Sequence, residues 1–567
     1  MLTVLLTWIY YTVILFLIGF GMMKIINSLW NKNDESDFVP CIIAGVVGTT
    51  VYAQIFSLFY KVSFLAHVLI ILIAIGIGIK FQKEIKPICI KLWNFLKTWD
   101  FFYLFVIILL IAFYTSRGTF HTDTMIYHAN AIQWLEDYGI VPGLANLQQH
   151  FGYNSSYFAF AALFSMKFLT GVSLHTTTGF LMCVFCLWAC GKIKEIGKNG
   201  RYVTALCAVG ILFYTFVNIN GSMSPASDYI TNLFALYIIA RWAELWENEE
   251  QEIHKYALLC LMCVYLFTLK VSGGILVVIT LYPAVILIQK KLWKEIGMYI
   301  GTGILILLPF LIRNVIISGW LIYPFAGIDL FSFDWKVPLE YLEGDSKQIS
   351  VWGKCLFDVK LADMPMSQWV PIWWEAQERY HKMMIGGNIL AVVFLCGTIL
   401  RDIFYKHKIE WQYWTLIIGT IASLLLWFVM APFVRYGLAF LIAFPAITLG
   451  ESLRRERNKK GLFKVGFFYL CLCMFVCFVP MVEHYVNDAG VFAKQKVLEP
   501  YYIFQKEYEM AELREFEVDG VLYYEPIKGD SLGYAPIPST AYDGMMMRSK
   551  MRGTEIKDGY APRSVTE

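Results

Sequence analysis

Apolar side chains in this chain come in unbroken runs of roughly 16–22 residues, not in alternation with polar ones. A run of about 20 such residues matches a hydrocarbon layer ~30 Å thick. Composition agrees: 58% of the residues are hydrophobic and 16% are charged, against about 25% charged in ordinary soluble domains. These features predict an all-α polytopic membrane protein. They exclude a soluble enzyme, a disulfide scaffold and a disordered chain. A net charge of +3 is too small to suggest a nucleic-acid partner.

The apolar runs fall near 2–23, 38–59, 62–79, 101–115, 174–191, 202–219, 229–246, 256–272, 273–289, 297–317, 385–400, 411–430, 433–450 and 462–482. The first lacks a basic leading region and a small-residue cleavage site, so it reads as an uncleaved span. Lys and Arg cluster in the loops 24–32, 80–97, 192–201, 290–294, 401–408 and 454–464. Short cytoplasmic loops are enriched in these residues. All six clusters fall on one side if the further apolar segment 155–169 lies along the outer surface as an interfacial helix. The expectation is therefore about 14 spans with both termini outside the cytoplasm. Cys183, Cys186, Cys190, Cys471, Cys473 and Cys477 sit inside apolar runs, where cysteine behaves as a small hydrophobe. No internal repeat is evident, which weakens a reading as an inverted-repeat transporter.

This topology puts 116–173, 218–229, 318–384 and a tail from about 483 on the outer face. The chain then divides into extra N-terminal helices (1–100), a membrane core (101–482) and the tail (483–567). Long connectors rich in aromatic and charged residues argue for function. In the tail, Asp519-Gly520 between apolar runs predicts a hairpin in a small β-containing appendage.

Met125, Ala129, Ile132 and Leu135 recur at helical spacing, which predicts an amphipathic helix over 124–138 ended by Gly139 and Pro142. Asp123 stands at its start, either as a cap or as a carboxylate acting as base or metal ligand. Asp228, in SPASDY, opens a later span in the same way. Lys270, Arg313 and Arg435 lie at outer span ends, where charges either snorkel to headgroups or face a polar cavity. Acids and cations on one face suggest a site for an anionic group, with Arg suited to phosphate. His121 and His128 flank Asp123 without a known metal spacing, so no metal or other cofactor is expected. The cluster QWVPIWWEAQERYHK, from Trp369 to Lys382, reads as an interfacial aromatic belt, with sugar stacking as the alternative. Glu375 and Glu378 read as solvated.

The arrangement resembles the GT-C class of membrane glycosyltransferases. More closely, TDTMIYH, GLANLQQHFGYNSS, SPASD, LKVSG, LIRN…SG and APFVRYG resemble a family of bacterial multi-span proteins associated with surface-polysaccharide clusters. The resemblance implies a GT-C-like core in the bacterial cytoplasmic membrane, a polyprenyl-linked sugar donor and a glycan or lipid acceptor. It implies Asp123 as catalytic base, and Asp228, Tyr127, His128, Lys270, Arg313 and Arg435 as substrate-binding residues. Two departures stand out: three spans precede the Asp-bearing loop where the class usually has one, and position 125 is Met, so no DxD metal pair exists. Rival readings are a repeat-unit polymerase for O-antigen or capsule, a lipid-glycan flippase or transporter, and a non-catalytic scaffold of an export complex.

Overall fold

The computed structural model of the chain describes residues 1–30, 37–117, 121–193, 201–405, 409–456, 482, 486, 502–506 and 510–563. The chain is mostly helical. Seven helices are long and apolar enough to cross a membrane: Leu2–Leu29, Phe38–Ser57, Val271–Gln289, Trp293–Ser318, Arg379–Tyr405, Trp411–Met430 and Val434–Arg455. An eighth forms if Phe64–Lys80 and Gln82–Phe95, which meet at 94°, are one broken span. Their outer faces expose Ile300, Ile304 and Leu308, or Ile389, Val393 and Leu400. So many large apolar groups on one surface are tolerable only against lipid or another protein.

Several expected spans are shorter helices: Trp99–Thr115, Thr177–Ile193, Tyr202–Val217 and Ile253–Leu269. The helix Ser227–Glu247 is long but carries Asp228, Arg241, Glu244 and Glu247, and it is buried along nearly its whole length. Tyr202–Val217, Ala257–Leu269 and Val434–Glu456 surround it. The expected span 462–482 lies outside the described residues except for Val482, as do Cys471, Cys473, Cys477 and part of each basic loop at 24–32, 192–201, 401–408 and 454–464. The loop expected at 80–97 is largely the helix Gln82–Phe95, tied back by the ion pair of Lys24 with Glu84. Ile85 and Ile88 supply its apolar face at helical spacing. Segment 155–169 contains an eight-residue helix, Ser156–Leu163, about 12 Å long and too short to cross a bilayer. All eight residues are buried within the protein, against Ala129–Asp137 and Phe38–Ser57.

Hydrogen bonds and ion pairs sort the helix termini into two ends. At one end Leu2 and Thr3 donate to the carbonyls of Tyr502 and Ile503, Lys506 N donates to Ser116 O, and Trp8 Nε1 donates to Thr176 O. At the other, Lys192 meets Glu244, Val203 and Thr204 meet Glu247, Arg454 meets Glu410, and Trp30 packs on His254 and Tyr299.

The hairpin expected at Asp519-Gly520 is present. Strand β1 (Leu513–Val518) pairs antiparallel with β2 (Val521–Pro526), with Val518 opposite Val521. Both turn residues have positive φ, +53° and +78°, the two-residue turn that the right-handed strand twist favours. A second pair joins β3 (Ser549–Met551) to β4 (Tyr560–Pro562). Among its described residues this tail has no core of its own. Tyr523, Leu532, Met545 and Tyr560 share one cluster with Trp134, Leu144, Leu147, Phe151, Trp320 and Val337. Tyr560 N donates to Pro142 O at 2.9 Å, and Asn146 Nδ2 donates to the carbonyls of Trp335 and Tyr560. Gly143 makes this contact geometrically feasible: its φ is +64°, and a Cβ there would run into the Tyr560 carbonyl. Gly143→Ala should therefore cost about 1–3 kcal/mol of local stability. The check is limited proteolysis, in which residues 510–563 become sensitive while the helical part stays resistant.

Candidate functional site

Four interruptions of the helical chain build the site. The helix expected at 124–138 is present as Thr124–His128, a π-helical turn, continuing into Ala129–Asp137. Such turns occur mostly where function tolerates the irregularity. Asp123 is at its start, but its side chain makes no capping hydrogen bond. The second break is the start of Ser227–Glu247, whose first turn holds Asp228, again without a side-chain cap. The third is Lys270, extended between the end of Ala257–Leu269 and a ten-residue 3-10 stretch, Val271–Thr280. Arg435 comes from the first turn of Val434–Glu456, after the link Ala431–Phe433.

These side chains converge. Arg435 Nη2 donates to Asp123 Oδ2 at 3.0 Å, and Arg435 Nε lies 3.1 Å from Asp228 Oδ2. Lys270 Nζ pairs with Asp228 Oδ1, and it also stands 3.4 Å from the centre of the Tyr436 ring. The order is Asp123, Arg435, Asp228, Lys270: alternating signs, two of each. A cation in the first turn of a helix opposes the helix dipole, so Arg435 depends on the two carboxylates. Asn232 locks the two helices together, donating to Arg435 O at 3.0 Å and accepting from Ala439 N at 2.8 Å. The acids differ in access. The Asp228 side chain is 10% exposed and held from both sides, whereas Asp123 is 29% exposed and held through one oxygen.

His121, packed edge-on against Tyr229, meets Arg435 Nη1 through Nε2, while its Nδ1 lies 3.1 Å from the backbone N–H nitrogen of Asp123 and 3.6 Å from Asp123 Oδ2. Burial, with Arg435 adding to it, pushes its pKa down to about 4. The ring is thus neutral at pH 7. Burial would raise the Asp123 carboxyl, but His121 and Arg435 outweigh it and hold Asp123 below its ordinary range. With the ring neutral, Arg435 is the lasting positive partner, and Asp123 is a carboxylate at neutral pH.

Of the seven residues singled out in the sequence, four meet here. His128 is one layer deeper: its ring faces His121 and Phe158, and Nδ1 lies 3.3 Å from Thr124 Oγ1. Tyr127 turns toward a second polar group, stacking on His150 at 5.4 Å and meeting Tyr153 edge-on at 5.7 Å. Tyr153 donates to the buried Asp345 at 2.6 Å. Burial raises the Asp345 carboxyl despite that bond. Asp345 was not singled out, since a lone Asp inside the amphipathic helix Leu339–Gly353 looks solvated. Glu136, also missed, is buried at the far end of the Asp123 helix, accepts from Ser173, and is pushed up to about 7 by that burial against the pull of Lys167. Arg313 stands apart, donating to Ser57 Oγ at 3.4 Å.

The aromatic belt is corrected in part. Trp369 and Trp373 are buried, packing on Phe428, and Trp373 Nε1 donates to Pro432 O, so they support the link that carries Arg435. Trp374, Glu375 and Glu378 are exposed. Cys183 and Cys186 are buried free thiols. Among the described residues no three His, Cys, Asp or Glu side chains form a metal-holding group.

Fold and site together define a predominantly helical protein with apolar helices of membrane-crossing length and an alternating ion cluster at one end. The chain belongs to the family described as a domain of unknown function (DUF8201), whose model matches residues 1–442. No curated protein and no solved structure matches it.

The neutral state of His121 gives a signed expectation. Its folded pKa lies below the unfolded value of about 6.5, so between those values the unfolded chain binds more protons. Stability due to this ring is full above pH 6.5 and is lost as pH falls toward 4. His121→Asn should flatten the decline of Tm over that window, measured by thermal unfolding in detergent.

Proposed function

We propose that the protein is a membrane glycosyltransferase of GT-C type, moving a sugar from a polyprenyl-phosphate donor to a glycan or lipid acceptor at the outer face of the bacterial cytoplasmic membrane. The observation that carries the reading is the convergence of Asp123, Asp228, Lys270 and Arg435 from four distant segments, with one carboxylate open to approach. On this reading the chain crosses about 14 times, with the stretch 462–482 as the last crossing. The bilayer would then hold the polyprenyl tail while the polar reaction proceeds at its surface. The site end would be the outer one, because the basic loops fall at the other.

The cluster suggests how its parts act. A donor phosphate attracts Lys270 and Arg435, which stabilise the negative charge that grows on it as the sugar departs. An incoming anion also draws Arg435 from Asp123 and raises the basicity of that carboxylate. Asp123 then takes the proton of the acceptor hydroxyl while the acceptor oxygen bonds to the anomeric carbon. The bond from that carbon to the phosphate oxygen breaks, and polyprenyl phosphate leaves. Asp228, held by both cations, sets their positions. No metal is required by this route.

A second reading, a lipid-glycan flippase, draws on the break at Lys270 and the 94° bend at Phe81, since transporters use broken helices. Both breaks lie at the ends of the bundle, away from a midplane site, which favours the transferase. Removing general-base assistance costs about 10²–10⁴-fold, so Asp123→Asn should abolish transfer without changing insertion or expression. In a deletion strain, the wild-type gene restores the full surface glycan and the variant leaves a truncated repeat. Restoration by Asp123→Asn removes the carboxylate from the mechanism. Accumulation of single complete repeats would point instead to a polymerase.

A further inference from the structure

Arg313 is the member of the expected set that joins no carboxylate. Its side chain is 2% exposed, and among the described residues it makes no ion pair. The guanidinium's one hydrogen bond among the described residues is the long contact to Ser57 Oγ. Isolated buried charges are costly, and proteins pair them. The guanidinium instead lines a cavity of about 20 Å³ together with Trp134, Asn154, Phe158, Leu135 and Ile317. Three polar atoms on this wall have no hydrogen-bond partner among the described residues: Arg313 Nε, Trp134 Nε1 and Asn154 Oδ1. Two are donors, and one of those belongs to a cation.

The cavity adjoins a wider one of about 220 Å³. Ile140 borders both, and Ser57, which accepts from Arg313, forms part of the wider wall. Lys61 and Lys557 stand at that outer pocket, and neither makes an ion pair among the described residues. Its one carboxylate, Asp137, is engaged by Lys167 at 2.7 Å. Two cations without an ion-pair partner among the described residues therefore stand at the pocket that shares the Ile140 wall.

We infer that Arg313 and Trp134 form a binding site for a monatomic anion of the halide class, chloride under ordinary salt conditions, reached through the pocket bordered by Lys61 and Lys557. Size selects the class. A cavity needs about 10–15 Å³ to admit one water-sized sphere, so 20 Å³ has room for a monatomic ion. Charge distinguishes a halide from water: only the anion compensates the guanidinium, and it accepts from both Nε–H and the indole N–H. The site is separate from the Asp123 cluster, so it stands whether or not the transferase reading does.

The test is thermal unfolding of the full chain in nonionic detergent, with sodium chloride or bromide replaced by sodium gluconate at constant ionic strength. A ligand that binds only the folded state raises Tm with its concentration. The wild type should show a saturable rise in chloride and bromide but not in gluconate. Trp134→Phe keeps the packing and removes one donor to the anion, so its half-saturating halide concentration should rise about tenfold or more. Arg313→Gln should lose the response. Equal Tm values in chloride and gluconate for the wild type overturn the proposal and assign the cavity to water. A halide response unchanged in Trp134→Phe also overturns it, and that variant decides the matter even where Arg313→Gln does not fold.

Discussion

The guanidinium of Arg435 is where the architecture of the site is settled. It reaches two carboxylates from different parts of the chain, Asp123 from the loop helix and Asp228 from the long buried helix Ser227–Glu247. Its position in the first turn of Val434–Glu456 is unfavourable by the helix dipole alone. The acids reverse that sign, and in doing so they fix three helix starts relative to one another. Lys270 completes the set by neutralising the second oxygen of Asp228. Removing one charge from such a group leaves its neighbours desolvated and unpaired, which costs more than the pair contributes. The four residues therefore act as a unit.

How far the sequence reveals this depends on the kind of information each residue carries. Charges at the ends of apolar runs are conspicuous because they are costly there, which is why Asp228, Lys270 and Arg435 stand out before any coordinates. Their common side follows from the Lys and Arg bias of the loops. Capping, the ordinary role of an Asp before a helix, fails for both acids because cations brought from distant segments compete for the same oxygens. Nothing local announces that competition. Arg313 looks the same as Arg435 in the sequence, an Arg at a span end, yet it faces a cavity lined by Trp134 and Asn154. Asp345 escapes notice for the opposite reason: only the fold brings Tyr153 onto it and removes its water.

The stretch GLANLQQHFGYNSS is a different case, since its residues look like a binding loop and serve largely as joints. Asn146 ties the tail and the 318–384 segment, Gln148 Nε2 donates to Ile126 O on the Asp123 helix, and Asn154 Nδ2 donates to Asn314 Oδ1. Ser155 and Ser156 hold the end of Ala257–Leu269, one residue from Lys270. Gly533 N, from the tail, donates to Met125 O within the π-helical turn. The tail and the loops thus share both a core and the support of the Asp123 helix, which explains how so small an appendage is stable without a core of its own.

This construction bears on what the exposed carboxylate can do. A base is most effective when its pKa lies near the working pH, and Asp123 lies on the low side because His121 and Arg435 face it. As built, the cluster is poised to receive an anion more than to abstract a proton. An anion that competes for Arg435 changes both properties together: it gains a cation and frees a carboxylate whose pKa must rise beside the new negative charge. Under the proposed transferase route, basicity at Asp123 would then exist only with an anionic substrate bound, so the acceptor would be activated when there is something to receive. Asp228 shows little of this response, since Lys270 continues to hold it when Arg435 is drawn away. The asymmetry between the two acids, one held by a single cation and the other by two, is what the proposed route uses to separate a reactive role from a positioning role.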